Sequence, residues 1–111
     1  MKVKEIAEKL GWQIIYGDGE REIEGGIYCC DLLSIVMGRA PSDSLWITVM
    51  GNVNAMAVAA LADVAGVVVA EGMPFDEDAL AGASKGSVTV LRTDQPVFAA
   101  ALSAAKVLGL K

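Results

Sequence analysis

The chain reads as a three-layer α/β/α domain around a mostly parallel sheet, and three observations predict it. Apolar β-rich runs alternate with helical segments over residues 45–108, in the order β-α-β-α-β-α. The run Val67-Val68-Val69 has no polar alternation, as a strand covered by helices on both faces requires. Alanine and glycine together make up 29 of the 111 residues and aromatic residues only 5%, so the bulk is small side chains suited to close helix packing. Parallel neighbours joined by helices imply two right-handed crossovers.

The elements follow in order. Val3, Ile6, Ala7 and Leu10 share one helical face, and Gly11 stands where a C-cap glycine would. A short strand over 12–16 ends at the turn Gly17-Asp18-Gly19. A second strand is expected over 22–30, with Gly25-Gly26 marking a bulge or a close backbone approach. Asp31 is placed to cap a helix over 32–37 that Gly38 ends, and 40–43 is turn chemistry. Then come a strand over 45–50, a helix over 53–65 closed by Gly66, and a strand over 67–70. Asp76 caps a helix over 77–84, a strand spans 88–91, and Thr93 or Asp94 caps a final helix to about 108, with Pro96 in its first turn. No repeat, low-complexity tract or linker divides the chain, so one domain is expected over 1–111.

Charge and composition exclude several classes. Nine basic against fourteen acidic residues give a net charge of -5, and the cations are scattered, so the stripe that a nucleic-acid binder needs is missing. Met1–Leu10 carries five charges and no apolar core of a signal peptide. The apolar stretches 55–70 and 97–110 are interrupted by Asp63 and Lys106 and fall short of a bilayer span. Cys29 and Cys30 are adjacent, a poor geometry for a disulfide, and no CxxC spacing occurs. A reducing cytoplasm is the expected setting, with a buried strand end as the plain role of the pair and a redox or metal role as the alternative.

Candidate function comes from position rather than motif. The chain has no histidine, which removes the commonest general base and metal ligand. GxxxxGK[ST], GxSxG and HExxH are all absent, so an enzyme acting alone is disfavoured and no cofactor or metal is expected. In open α/β sheets ligands gather beyond the carboxyl ends of the strands. That rule selects Asp31, the segment 51–54, the segment 71–74 and the segment 92–94. Within them Thr48, Gly51, Asn52, Asn54, Glu71, Gly72, Arg92, Thr93 and Asp31 form the candidate ligand-binding set. Helix N-termini there favour an anion, Gly51 and Gly72 admit a ligand to the backbone, and Arg92 is the one cation near the edge. Each has a plainer role beside it: Asn52 and Asp31 as caps, Gly72 as a turn residue, Arg92 as a solvated charge.

The last helix adds a partner. Its apolar residues cover almost the whole circumference, and a helix apolar all round is buried on more than one side. A homodimer through this helix, or through the Ala-rich helix over 53–65, is therefore expected.

The order of segments resembles a known family. Gly25-Gly26-Ile27-Tyr28-Cys29-Cys30-Asp31-Leu32-Leu33-Ser34-Ile35-Val36-Met37 resembles the GG…SDLLSxVM stretch of DRTGG-domain proteins, and Leu45-Trp46-Ile47-Thr48 resembles their following strand. The segment 67–76 and the run Thr93-Asp94-Gln95-Pro96-Val97-Phe98 are similar to later parts of the family pattern. The likeness spans nearly the whole chain and implies a stand-alone domain. The family resembles the N-terminal domain of HPr kinase/phosphorylase and, more remotely, the uridine-binding domain of Mur ligases; small members stand beside iron-only hydrogenase components. It implies a regulatory, dimerising module that binds a nucleotide-like or other small anionic ligand, or a partner protein. The alternative is a pure assembly protein with no ligand. The family's Asp-Arg falls on Asn52-Val53 and its Thr-Gly-Gly on Ala70-Glu71-Gly72, so of the signature only Gly72 is kept.

Overall fold

The computed structural model describes residues 1–110. Its elements run α1 (Val3–Leu10), β1 (Gln13–Tyr16), β2 (Ile27–Cys29), α2 (Leu33–Arg39), β3 (Leu45–Thr48), α3 (Val53–Ala62), β4 (Gly66–Val69), α4 (Glu77–Gly86), β5 (Val90–Arg92) and α5 (Val97–Leu108). One five-stranded sheet has the order β1-β5-β4-β3-β2. Strands β2 to β5 are parallel to their neighbours, and β1 closes one edge antiparallel to β5. The layered α/β/α arrangement is the one read from the alternation of segments.

Strand order decides which face each helix takes. From β2 to β5 the chain advances one strand at a time in a single direction. Crossovers of one hand then put every connecting helix on the same side. Helices α2, α3 and α4 do share a face, with Val36, Met56, Ala59, Ala79 and Ala83 packed on Trp46, Val67, Val69 and Val90. The opposite face carries α1 and α5, whose Val3, Ile6, Ala100 and Ala104 meet Leu45, Ile47, Val68 and Leu91. Alternate residues of β3 and β4 thus enter two different cores, and every residue of both strands is buried. This is why neither strand shows polar alternation.

Several boundaries differ from the sequence reading, each for a local reason. The second strand is only Ile27–Cys29, because Gly25 is pressed against the 42–44 turn: a Cβ there would lie 2.2 Å from the Ser42 carbonyl oxygen. The amides of Glu24 and Gly25 both donate to the Asp43 carbonyl. Helix α3 ends at Ala62, closed by Asp63 in the left-handed region (φ 58°), and Gly66 opens β4 instead of capping the helix. Helix α2 passes through Gly38 to Arg39, α4 includes Gly86, and α5 starts at Val97 with Pro96 in the N-cap position. Strand β5 is shifted to Val90–Arg92.

The α1 helix is held at its start by charge. Glu20 accepts from the ammonium groups of both Lys2 and Lys4, and these bonds hold its carboxyl well below the ordinary carboxylate range, at about 2. A carboxyl lowered in the folded state adds stability above its unfolded value and loses it as pH falls through the folded one. NMR titration should therefore give Glu20 a midpoint near 2. Between pH 4.5 and pH 2, Glu20→Gln should lose less stability than the wild type; equal losses would contradict the pairing.

Candidate functional site

At the end of β2, Asp31 does not cap the following helix; Leu32 holds the N-cap position. The Asp31 carboxylate turns back onto β3. Its Oδ1 accepts from the Thr48 hydroxyl at 2.6 Å and from the Val49 amide at 3.0 Å. Thr48 is fully buried, and its Oγ1 accepts in turn from the Met50 amide at 3.3 Å. Two of the candidate residues therefore bond each other, and they join the ends of neighbouring parallel strands.

At the end of β3, Asn52 is the N-cap of α3, its Oδ1 accepting from the Ala55 amide at 2.8 Å. Asn54 lies exposed in the first turn. Gly51 is buried, and a Cβ on it would sit 2.5 Å from the Pro74 carbonyl oxygen and 2.9 Å from the Phe75 Cα. The close approach read from this glycine is real, but the neighbour is the chain itself. The Asp76 amide donates to the Gly51 carbonyl at 2.8 Å and fixes the two loops together.

The ends of β4 and β5 are the one place in the parallel sheet where adjacent loops leave for opposite faces, to α4 and to α5. Such a split is where a crevice opens in sheets of this class. Here it is laced. The Glu71 amide donates to the Gln95 carbonyl at 2.8 Å, and the Gly72 amide to the Thr93 carbonyl at 3.0 Å. Glu71 (φ 63°) and Gly72 (φ 64°) both take the left-handed conformation that points these amides sideways. The Arg92 guanidinium donates to the carbonyls of Met73 (2.9 Å) and Gly72 (2.8 Å). The Glu71 carboxylate accepts from the Val97 amide at 2.7 Å, so it caps α5, where a negative charge suits the helix dipole.

The nine candidates therefore do not form one open site. Asp31 pairs with Thr48, Asn52 and Gly51 serve α3 and the 74–76 loop, and Glu71, Gly72, Arg92 and Thr93 form a second cluster. A hollow of about 380 Å³ does adjoin that cluster, lined by Arg92–Gln95 and by Leu10–Gln13 at the α1–β1 turn. Sequence reasoning missed its second wall and the bond across its base, where the Trp12 indole N–H donates to Gln95 Oε1 at 3.0 Å. Strand-end reasoning looks only at parallel strands. β1 enters antiparallel, so its amino end is what meets the carboxyl end of β5.

The cysteines sit on β2 and just after it, with Cys29 exposed and Cys30 half-buried. Partial burial, then the charge of Asp31, pushes the Cys29 thiol up. It therefore stays protonated at neutral pH, a poor nucleophile. Among the described residues no group of three His, Cys, Asp or Glu side chains is placed to hold a metal ion, and no helix is long and apolar enough to cross a membrane.

No protein-family model and no curated protein matches the chain.

Two substitutions test this geometry by urea denaturation. Gly51→Ala should destabilise by about 1–3 kcal/mol, because the 74–75 backbone must move to admit the methyl group. Asp31→Ala should cost about 1–3 kcal/mol by removing the acceptor of the buried Thr48 hydroxyl. Neutral effects at both positions would mean that these contacts do not hold the strand ends.

Proposed function

We propose that this chain is a non-catalytic interaction module, an eroded relative of the DRTGG domain, that acts in the cytoplasm by assembling with a second copy or another protein. The observation that carries the reading is the mutual bonding of the strand-end polar groups. Arg92, the cation suited to a phosphate, is engaged with two carbonyls of its own chain. Val53 stands where the family has its arginine, and an aliphatic side chain makes no phosphate contact. Meanwhile large apolar side chains are exposed on the helices, Phe98 at 75% and Leu61 at 73% among them. Surface of that kind marks association when it is contiguous.

The ligand-sensing reading rests on the hollow beside Arg92 and Thr93, whose size suits a small polar molecule. A nucleotide there would meet Asp94 as well as Arg92, and the net charge of -5 disfavours an anion at long range.

A thermal-shift panel of nucleotides separates the two. A ligand at 100 times its Kd adds about 2.7 kcal/mol, a rise on the order of 10 °C for a domain of this size. The assembly reading expects no shift with any nucleotide and a reversible dimer by sedimentation. A rise of that size with one nucleotide would overturn it.

A further inference from the structure

The sheet has two edges, and they are finished differently. At β1 the pairing with β5 is irregular between Ile14 and Tyr16, a break that discourages a further strand. At β2 the pairing with β3 is regular over Ile27, Tyr28 and Cys29, and among the described residues no strand lies beyond β2. Edges are normally guarded by proline, lysine, bulges or outward charge. The strand is short, itself one such guard, but the segment 26–30 has no proline, lysine, bulge or outward charge, and the nearby Asp31 carboxylate is turned inward onto Thr48 and Val49.

The main-chain groups of this edge can be assigned. The Gly26 carbonyl accepts from the Leu45 amide, and in a parallel ladder alternate residues bond the same neighbour. Gly26 and Tyr28 therefore face β3, while the N–H and C=O of Ile27 and Cys29 face away from the sheet.

Both flanks of the edge are apolar. On one face the helices lie side by side as α4, α3, α2, so α2 is the one nearest β2, and its Leu32 N-cap, Ile35 and Met37 are exposed. On the other face α5 packs over β2 and β3. Ser103 of α5 faces Gln95 on the α1 side, which puts Phe98, about 220° round the helix at 100° per residue, on the side away from α1. At 100° per residue Ile35 and Met37 stand on opposite sides of the buried Val36, so one of them joins Leu32 on the α2 flank, and Phe98 supplies the α5 flank. With the main-chain groups of Ile27 and Cys29 these make a small patch, below the about 800 Å² per partner of a standard interface, so the main-chain bonds carry the pairing. No charged side chain of the edge segment itself opposes a like charge when two such edges meet.

We infer that β2 pairs antiparallel with β2 of a second copy, joining two five-stranded sheets into one of ten strands. The inference rests on the assembly reading above and names its surface. A twofold axis through Tyr28 sets Ile27 opposite the partner's Cys29 and Cys29 opposite the partner's Ile27. All the outward groups then bond, in four main-chain hydrogen bonds. The axis is normal to the sheet, so α2 meets its own copy on one face and α5 on the other. The same patch serves both protomers, as closed dimers require.

Cys29→Pro removes one outward N–H per protomer and leaves the ladder to β3 intact, since an edge strand accepts proline on its open side. Loss of two of the four bonds should raise the dimer dissociation constant about thirtyfold by sedimentation, with circular dichroism unchanged. In a Cys29→Ser, Cys30→Ser background, Tyr28→Cys should form an interchain disulfide under mild oxidation, because directly opposed non-hydrogen-bonded residues have Cα atoms about 4.5 Å apart. The cross-link decides the matter if the proline variant does not fold. A dimeric wild type that keeps its affinity in Cys29→Pro, or in which Tyr28→Cys gives no cross-link, overturns the β2 surface and leaves the assembly reading standing. A wild type monomeric at high micromolar concentration overturns the β2 surface and self-assembly, and leaves only association with another protein.

Discussion

The carboxyl ends of β4 and β5 hold the structure's organising constraint. From β2 to β5 every connection returns to the same face of the sheet, so consecutive loops run side by side. After β5 the chain crosses to the other face, and the last two loops must separate. A separation of this kind leaves main-chain donors and acceptors facing one another across a gap. Either a ligand or the protein has to satisfy them. Here the protein does, through two amide–carbonyl bonds, the Arg92 fork and the Glu71 cap on α5. Because Glu71 reaches the first turn of α5, the same lacing sets where the helix covering β2 and β3 begins.

The cost of this closure is visible in the backbone. Glu71 is a non-glycine residue at positive φ, a conformation that costs on the order of 1 kcal/mol and persists only when its surroundings hold it. Three bonds do so: its amide to Gln95, its neighbour's amide to Thr93, and its carboxylate to Val97. Strain at such a position more often prepares a binding site. In this chain it orders two loops against each other, and the side chains that would meet a ligand are turned to that task.

Much of the fold was legible because burial on two faces leaves a plain signature. Val67–Val69 and Leu45–Ile47 read as strands from composition alone, and Gly11 marked the end of α1, where it does take φ 70°. Two misplaced helix ends, those of α3 and α4, fall where non-glycine residues, Asp63 and Ser87, adopt the left-handed cap that glycine was expected to supply. The short β2 was overextended because the apolar pattern continues through a segment whose amides are claimed by Asp43, a contact distant in sequence. The candidate site was legible as a place and not as a state. Strand-end position selected Asp31, Thr48, Glu71, Gly72 and Arg92 for a ligand, and in the structure Asp31 meets Thr48 while Arg92 bonds the Gly72 carbonyl. Nothing in residue type told whether those polar groups face one another or a ligand, since capping and ligand binding use the same side chains. The wall supplied by Trp12 and Gln13 was invisible for a topological reason, the antiparallel entry of β1.

The central claim, that the strand ends are closed by the chain's own bonds, is tested most directly by amide hydrogen exchange at Glu71, Gly72 and Val97. Closure predicts slow exchange at all three, comparable with the amides of β4, and no change when nucleotides are added. Rapid exchange in the free protein, with protection appearing only on addition of a nucleotide, would contradict it and return the crevice to a ligand.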